Sequence, residues 1–528
     1  MSGPGVPGGQ PPLLSRRRFL RLAGLATIGG ISVTTLAYQL IDRAGIGATA
    51  GRSPAGAIEA AGFAGSTEVD RSPVPGPTAP GTDRQKFRTR PDLIPPILHI
   101  SVANAGTAPG LLFLTPANGA GNDGPLILDD RGDLVWLRPH TAAAAADFRM
   151  TTYRGASVLT WWEGAVNGGI GAGEHIMADD RYREIARIRA GHGGTADLHE
   201  FQVTPGGTAL FFSDTGVAPR MPAGATTPAW AVMDCAIHEV DIATGELVFE
   251  WHAADHIDLD ESYATEPTGD AHVYDYVHAN SIEPLPDGDL LVSARNTCAV
   301  YRVSRSTGQI VWRLGGKRSD FAMGAGANFG YQHDVRLQAD GTYTLFDDES
   351  APGHSRAIVL RVDETARTAT LVREYRRPVD ILSTSQGNMQ VLPNGNVFVG
   401  WGSQAWLSEF RPDGTLLYDA MFPSATQSYR DYRMPWVGRP LDVPAVAIDA
   451  TGADTRAYMS WNGATEVAVW EVLAGDTVGS LQVVGTVART GFETAMTVTT
   501  AKPLLAARAR DAGGVILGVS VPIPTRPS

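Results

Sequence analysis

Histidines provide the strongest chemical signal in this 528-residue sequence. Four segments share one strand–turn–strand pattern and, aligned on the turn glycine, begin at His199, Asn280, His333 and Gly387. His278 stands two residues before Asn280 and therefore shares its face of the strand. An imidazole can act as a nucleophile, as an acid or base near pH 7, or as a metal ligand. A convergence of His199, His278 and His333 would therefore form a reactive site.

The same aligned positions supply polar neighbours. Tyr331 and Ser385 occupy the position of His278 in later repeats, and Arg295 lies in "LVSARN", on the strand after Asn280. The planar guanidinium of Arg295 suits an oxyanion. A single histidine at a strand end is often only structural, but matched positions in three repeats favour function. We therefore predict that Asn280, Tyr331 and Ser385 bind substrate beside the histidines and the arginine.

Other polar residues do not occupy matching positions in the aligned repeats. The remaining nine of the twelve histidines, such as His192, His238 and His354, are interpreted as surface or packing residues. Two acidic clusters, "DLDES" at Asp258 and "FDDES" at Asp347, do not have the spacing of a calcium loop. Both are interpreted as solvated loops.

The repeat also predicts the fold. Pro-Asp-Gly, Ala-Asp-Gly and Pro-Asn-Gly between apolar runs are hairpin signals, and each unit ends in a second hairpin. Counting two degenerate units near the start, six units end at Pro139, Ala190, Trp251, Leu314, Tyr375 and Ala420. Units with room for four short strands suit a six-bladed β-propeller over residues 94–440, with a stacked solenoid as the alternative. The first strands of successive blades would line the central channel.

The composition and strand pattern differ on either side of the predicted propeller. Residues 441–528 contain short alternating strands with frequent turns, which predict a small β-sandwich of immunoglobulin or fibronectin type. Residues 51–93 are rich in Gly, Pro, Ala, Ser and Thr and are interpreted as a disordered tether. The fold class is therefore all-β.

Residues 1–50 have the layout of an export signal. Ser15–Arg21 places a twin arginine before Phe-Leu, and a moderately apolar run from Leu22 to Ile41 follows. The layout predicts export through the twin-arginine route, to a secreted or membrane-anchored state outside the cytoplasm. A plain signal anchor is the alternative, since the run is long enough to span a bilayer. Cleavage and retention as a membrane tether both remain open.

Composition narrows the classes of partner. The net charge of −13 argues against a nucleic-acid partner, because binding phosphates needs concentrated positive charge. The two cysteines, Cys235 and Cys298, each stand ten residues before a turn glycine, at equivalent positions of neighbouring units. Equivalent positions of neighbouring blades are too far apart for a disulfide, so we predict two free, buried thiols.

Several motifs in their order along the chain resemble the arylsulfotransferase family. They are "DLHEFQVTP", "DYVHANSIEPLPDGDLLVSARN", "IVWRLGGK", "FGYQHDVRLQADG" and "QGNMQVLPNGNVFVGWG", within residues 95–425. The resemblance implies a six-bladed propeller that moves a sulfuryl group from a phenolic sulfate ester to a phenol. It further implies a sulfohistidine intermediate, with neither a nucleotide sulfate donor nor a cofactor or metal.

The resemblance also implies roles for individual residues. The nucleophile falls on His333, the assisting pair on His278 and Arg295 with Asn280 alongside, and the remaining histidine on His199. Sulfuryl transfer needs an acid and base for the phenolic oxygen and donors for the sulfuryl oxygens. We assign His278 as acid and base, and His199 and Arg295 as sulfuryl-oxygen binders, although His199 and His278 could exchange roles. Two alternatives stay open: a non-catalytic envelope protein that binds a ligand or partner, and a metal site on the three histidines, whose cation the arginine would repel.

Overall fold

The computed structural model describes residues 83–140, 144–221, 230–267, 273–351, 353–423, 426–451 and 454–525. The predicted export signal and residues 51–82 of the predicted tether lie outside these ranges. The described chain is all-β: its only helical segments are single 3₁₀ turns at Gly191–Gly193, Ala253–Asp255, Leu259–Glu261 and Val478–Ser480. Within the described ranges, no helix has the length and apolar character needed to cross a membrane.

Six sheets of four or five strands make up most of the described chain. The strands up to the third sheet are β1 (His99–Ala103), β2 (Leu111–Leu114), β3 (Leu126–Leu128), β4 (Leu134–Leu137), β5 (Ala144–Tyr153), β6 (Ala156–Asn167), β7 (Ile170–Ala178), β8 (Glu184–Ile188), β9 (Phe201–Val203), β10 (Thr208–Val217), β11 (Ala231–Asp241), β12 (Leu247–His252) and β13 (Val273–Tyr274). The strands of the later sheets are β14 (Ala279–Pro284), β15 (Leu290–Ala294), β16 (Ala299–Val303), β17 (Ile310–Gly315), β18 (Ala322–Met323), β19 (His333–Leu337), β20 (Thr342–Ala351), β21 (His354–Asp363), β22 (Thr368–Tyr375), β23 (Asn388–Val391), β24 (Val397–Gly400), β25 (Trp406–Phe410), β26 (Leu416–Met421) and β27 (Tyr432–Met434).

Each sheet is built on an antiparallel meander, and only β27 in the first sheet and β1 in the sixth depart from chain order within these meanders. In sequence order the sheets are β27-β2-β3-β4, β5-β6-β7-β8, β9-β10-β11-β12, β14-β15-β16-β17, β19-β20-β21-β22 and β23-β24-β25-β26-β1. The short strands β13 and β18 add to the third and fifth sheets in parallel. The sheets end within two residues of the expected unit ends.

The six sheets form a closed succession. The edge strands β5, β9, β14, β19 and β23 contact one another in that order, and β27 of the first sheet contacts both β5 and β24. The first and last sheets also exchange strands with distant parts of the chain, since β27 completes the first and β1 completes the sixth. The starts of these six edge strands therefore meet near the centre of the succession.

The hairpin turns explain the regular strand pairing. The four aligned turn glycines have φ of 82°, 94°, 79° and 84° at Gly207, Gly288, Gly341 and Gly395. Side chains disfavour this left-handed region, whereas glycine adopts it freely. Neighbouring sheets then share apolar cores; Trp312 and Leu345, for example, are buried in one cluster between the fourth and fifth sheets.

The C-terminal residues form two further sheets. Their strands are β28 (Ala445–Thr451), β29 (Asp454–Ser460), β30 (Val469–Gly475), β31 (Gln482–Ala488), β32 (Thr494–Thr499), β33 (Leu504–Arg510), β34 (Ile516–Val519) and β35 (Ile523–Pro524). The sheet β28-β29-β32 and the sheet β31-β30-β33-β34, with β35 on β33, share one core that contains Met459, Trp470 and Leu505.

The last part of the predicted tether packs against this C-terminal region. The rings of Phe87 and Phe492 lie 4.4 Å apart, and the Thr89 hydroxyl donates to Glu493 at 2.6 Å. Leu93 is completely buried. Residues 83–93 are therefore a packed segment, contrary to the tether boundary expected at residue 93, because Phe87 and Leu93 supply apolar surface that the Gly/Pro-rich segment before them lacks.

The two cysteines are free and buried, as predicted. Burial raises the pKa of the Cys298 thiol to about 11 and raises the pKa of Cys235 well above its ordinary value. Both side chains are therefore neutral thiols.

Candidate active site

The three predicted histidines line one cavity of about 620 Å³ at the centre of the six sheets. His199 precedes β9, His278 directly precedes β14, and His333 is the first residue of β19. The ring centroids of His199 and His278 are 4.9 Å apart, in a nearly perpendicular arrangement. Residues separated widely in the sequence thus meet because equivalent edge strands begin at the same centre.

His333 is held on both ring nitrogens. Its Nδ1 lies 2.7 Å from Asp348 Oδ2, and its Nε2 lies 3.2 Å from the main-chain nitrogen of Gln386. A main-chain N–H can only donate, so Nε2 accepts this hydrogen bond. The proton of the neutral ring is therefore on Nδ1, where it is donated to Asp348. The lone pair needed for nucleophilic attack is on Nε2.

The surroundings keep this ring neutral. Burial lowers the pKa of His333 well below its ordinary value, and the positive charge of Arg295 lowers it further. Burial also raises the pKa of Asp348. A proton on Nε2 would face the Gln386 N–H, so the hydrogen-bond geometry assigns the proton of the pair to Nδ1 and the acceptor role to Asp348.

Two more imidazole–carboxylate pairs stand beside this one. His199 Nδ1 lies 2.6 Å from Asp197 Oδ2, and His278 Nδ1 lies 2.5 Å from Asp275 Oδ2. Burial alone would raise the pKa of Asp197, but the charge and hydrogen bonds of His199 lower it overall. Burial and His278 oppose each other in the same way at Asp275, whose pKa is also lowered. Both carboxylates are therefore ionised, and each holds the Nδ1 side of its imidazole.

Arg295 borders the cavity without being one of its lining residues. Its guanidinium lies 4.9 Å from the centre of the Tyr331 ring and donates to Asn296 Oδ1 and the Thr384 carbonyl oxygen, both at 2.8 Å. Its charge acts on His333, as the lowered pKa of that ring indicates. These bonds use two of the five N–H groups of the guanidinium.

The predicted substrate-binding residues occupy three different places. Ser385 lines the cavity, whereas Tyr331 lies beneath the Arg295 guanidinium and outside the cavity lining. Asn280 is completely buried, does not line the cavity, and donates its amide to the Gln332 carbonyl oxygen at 2.7 Å. That Asn280 and Tyr331 contact substrate stays a prediction, since neither residue is among those that line the cavity. Their side chains support the strand and the arginine.

Sequence reasoning missed two cavity residues and a carboxylate. His140 and Tyr429 line the cavity, and the Tyr429 hydroxyl donates to the His199 carbonyl oxygen at 3.1 Å. The "FDDES" segment, expected to be a solvated loop, is part of β20, where Asp347 and Asp348 are buried. The apolar "TYTLF" run directly before it was the available signal that the strand continues.

A buried network of charges lies beside the site. Arg430 is completely buried and donates to the Asn280 carbonyl oxygen at 2.7 Å, with Asp147 and Glu200 oxygens at 3.3 and 3.4 Å. Three cations and three carboxylates from four elements join here: Arg149, Arg336, Arg430, Asp147, Glu200 and Asp334. The network ties together the edge strands that carry the histidines.

No three His, Cys, Asp or Glu side chains in the described ranges are arranged to hold a metal ion. The site that the described residues do form combines a neutral imidazole, two imidazoles with ionised partners, and an arginine. This set can accept and release an anionic group and move protons at neutral pH.

Sequence comparison matches this region to a known family. The family model for arylsulfotransferase (ASST) matches residues 149–423, more than half of the chain. The match includes His199, His278, His333 and Arg295. The chain belongs to the arylsulfotransferase family. Membership supports an arylsulfotransferase activity, for which the family implies a phenolic sulfate donor and a phenol acceptor.

Other comparisons add little to the family assignment. A search of curated proteins found no match. Solved structures with some similarity include a protein of unknown function from Bacteroides caccae (12% identity, 61% of this chain and 98% of that chain, TM-score 0.39). Another is a periplasmic gluconolactonase from Pseudomonas aeruginosa, with 14% identity over 74% of this chain and 99% of that chain and a TM-score of 0.34. A third is an inactive virginiamycin B lyase variant from Staphylococcus aureus, with 10% identity over 69% of this chain and 96% of that chain and a TM-score of 0.33. TM-scores this low support no inference about the arylsulfotransferase chain.

Proposed function

We propose that this arylsulfotransferase moves a sulfuryl group from a phenolic sulfate ester to a phenol through a sulfohistidine at His333, without a nucleotide sulfate donor. The observation that carries the proposal is the state of His333. Its Nδ1–H is fixed by Asp348, and its Nε2 lone pair is in the cavity that His199 and His278 also line. A neutral imidazole is both a good nucleophile and a good leaving group for this exchange.

In the first half-reaction, the His333 Nε2–S bond forms as the bond between sulfur and the phenolic oxygen breaks. The departing phenolate takes a proton from a neighbouring imidazolium, which becomes neutral. In the second half, that imidazole removes the proton from the acceptor phenol as its oxygen attacks sulfur. The N–S bond then breaks, and the electron pair returns to Nε2. Protons and charge balance over the two steps.

His278 is the proposed acid and base, and His199 is the proposed sulfuryl-oxygen binder. Each has an ionised carboxylate on Nδ1, which orients the ring and stabilises its protonated form. With ring centroids 4.9 Å apart, two imidazolium charges would repel each other. Because the two rings are neighbours with the same kind of carboxylate partner, they can exchange these roles.

Arg295 and the Gln386 main-chain N–H are the proposed donors to the sulfuryl oxygens, with the Ser385 hydroxyl beside them. The Gln386 N–H is already 3.2 Å from Nε2, so it lies close to a group bound there. Donors fixed before the reaction stabilise the charge on the transferred oxygens without reorganising.

We also propose that the six sheets are the blades of a β-propeller and that the C-terminal sheets are a β-sandwich. The closed succession of edge-strand contacts and the shared C-terminal core support this architecture. A crystal structure would test it.

A further proposal concerns export. The Arg16–Arg17 pair before an apolar run supports the twin-arginine route. Cell fractionation of the wild type and of a double Arg→Lys variant at these positions would test it. Export that survives the double change would contradict the proposal.

The test of the reaction is an acceptor-dependence assay. Purified protein with 4-nitrophenyl sulfate should release 4-nitrophenol only when a phenol acceptor is added, with no nucleotide present. His333→Ala should abolish release. Absence of turnover in the wild type across varied phenols, with equal ligand affinity in wild type and His333→Ala, would instead support a non-catalytic binding protein.

A further inference from the structure

A buried carboxyl group lies where the succession of six sheets closes. Asp431 directly precedes β27, the strand that completes the first sheet from the far end of the region. The side chain of Asn388, the first residue of β23 in the sixth sheet, donates from Nδ2 to the Asp431 carbonyl oxygen at 2.8 Å, and its Oδ1 accepts from the Asp431 N–H at 2.9 Å. We call this pair of hydrogen bonds the seam, because it joins the first sheet to the sixth.

The Asp431 side chain is enclosed in uncharged surroundings. The residue is only 2% exposed, and its Oδ1 has no hydrogen-bond partner within the described ranges. It packs closely against Gly400 of β24, where an added Cβ would lie 3.0 Å from the Asp431 Cβ. The sixth sheet therefore faces this carboxyl group with Gly400 and Asn388, neither of which carries a charge.

The arginines that flank Asp431 in the sequence are directed to other carboxylates. The Arg430 guanidinium lies 3.3 Å from Asp147 Oδ1, and the Arg433 guanidinium lies 2.8 Å from Glu409 Oε2. Within the described ranges, the Asp431 carboxyl group itself forms no ion pair. Its ionised form would thus be a buried charge without a cation, which is costly.

These surroundings set the pH range in which the group ionises. Burial raises the pKa of Asp431 to about 7, although the Ser428 hydroxyl lowers it, whereas an aspartate in water has a pKa of about 3.9. The fifth sheet brings Asp334 to the seam, where its Oδ2 accepts from the Met389 N–H at 3.2 Å, and its charge is also negative. Between about pH 4 and pH 7 the proton stays on the closed seam but leaves an opened one, so opening becomes more favourable as the pH rises. Above about pH 7 both states are ionised, and the seam weakens no further.

The seam is connected to the cavity on both of its sides. The carbonyl oxygen of Tyr429, two residues before Asp431, accepts from the Gly387 N–H at 3.0 Å. Tyr429 and Gln386 both line the cavity, and the Gln386 N–H is the group that contacts His333 Nε2. Opening of the seam would therefore loosen two residues of the cavity wall.

We propose that Asp431 is a pH-sensitive lock on the closure between the first and sixth sheets. When its carboxyl group is protonated, the seam holds β27 against the sixth sheet. When the group is ionised, the uncompensated buried charge favours opening. The inference goes beyond the proposed reaction and does not depend on it, since its tests use the free protein without substrate.

The first test compares urea unfolding of the wild type and Asp431→Asn at pH 5.0 and pH 7.0. Asparagine has the shape of the protonated carboxyl group and does not ionise in this range, and the other titrating groups cancel in the comparison. The unfolding constant of the wild type divided by that of the variant should rise about 50-fold between the two pH values. Asp413→Asn is the matched control, because Asp413 is in an exposed turn after β25 and the Thr415 N–H lowers its pKa. Its ratio to the wild type should stay within about twofold.

Hydrogen exchange of the wild type provides a second measurement that needs no variant. The opening constant of each amide is the observed exchange rate divided by the intrinsic rate at the same pH. For peptides within 386–391 and 429–434, which contain the seam, this constant should rise about 50-fold from pH 5.0 to pH 7.0. For peptides from β30 and β33 of the C-terminal sheets, it should change less than about threefold.

Two results would overturn the lock. A ratio of wild-type to Asp431→Asn unfolding constants that does not change with pH would mean that Asp431 binds its proton equally well in the folded and unfolded chain. A rise in the opening constants of β30 and β33 equal to that at the seam would mean that the pH acts on the whole chain and not on the closure. Either result leaves the sulfotransferase proposal intact.

Discussion

Replacing Asp348 by asparagine is the sharpest test of how the nucleophile is prepared. The Nδ1–H of His333 is donated to Asp348 Oδ2 at 2.7 Å, and both side chains are buried. Asparagine preserves the shape of the carboxylate but removes its charge. If the amide oxygen faces Nδ1, the ring keeps its tautomer and only the charge is lost. If the amide NH₂ faces Nδ1, the ring must move its proton to Nε2, where attack becomes impossible.

The two orientations of the asparagine amide set the expected range of the loss in kcat. A hydrogen bond to a charged group contributes about 1.5–3 kcal/mol, and about 1.4 kcal/mol is a factor of ten in rate. Losing only the charge should therefore lower kcat about 10- to 150-fold. Reversal of the tautomer should approach the roughly 10⁴-fold loss seen for the same carboxylate-to-amide change in a serine protease triad.

The assay is acceptor-dependent release of 4-nitrophenol at saturating donor. Asp347→Asn is a demanding control: Asp347 is adjacent on β20, but its carboxylate pairs with Arg356 at 2.8 Å instead of with the histidine. We expect that variant to be less stable and to retain kcat within about threefold. An Asp348→Asn enzyme with kcat within threefold of the wild type would refute the reasoning about the His333 tautomer.

Three further predictions follow from the same geometry. In the proposed mechanism neutral His333 is the nucleophile, so activity should fall as the pH drops through its lowered pKa. Arg295→Met removes a charge that lowers this pKa, so the acid limb of the kcat/KM profile should move to higher pH, and an unchanged or lowered limb would contradict the assignment. Arg430→Met leaves buried carboxylates uncompensated and should lower the free energy of unfolding by about 3–5 kcal/mol, measured by guanidinium denaturation, while a loss below about 1 kcal/mol would mean that the network contributes little. The Cys235 and Cys298 thiols should resist a disulfide reagent in the folded protein and react fully in denaturant, and rapid labelling of the native protein would contradict their burial.

Local sequence signals predicted much of the fold. The aligned turn glycines have the positive φ that their hairpins require, and the expected unit ends agree with the sheet ends within two residues. The expected tether boundary at residue 93, which the structure contradicts, was also inferred from local composition. Residues 83–93 have the composition of a tether. Leu93 is nevertheless buried and Phe87 partly buried, because they contact parts of the chain that composition does not indicate.

The site was predicted only where the repeat placed side chains on edge strands. His199, His278 and His333 converge because each precedes or begins such a strand. Asp348 was missed because its role depends on the pairing of β19 with β20: His333 is opposite Phe346, and Asp348, two residues further along β20, reaches the His333 ring with its side chain. Asn280 has the expected register, but its amide is used by the Gln332 carbonyl oxygen.

The central claim is that His333 carries the sulfuryl group during turnover. The direct measurement is rapid acid- or base-quenched mass spectrometry of the protein mixed with 4-nitrophenyl sulfate in the absence of acceptor, with peptide mapping. We predict a gain of SO₃ on the peptide containing His333, which disappears when a phenol is added before the quench. Turnover without an adduct, or an adduct on another residue that is consumed at the rate of turnover, would contradict the account.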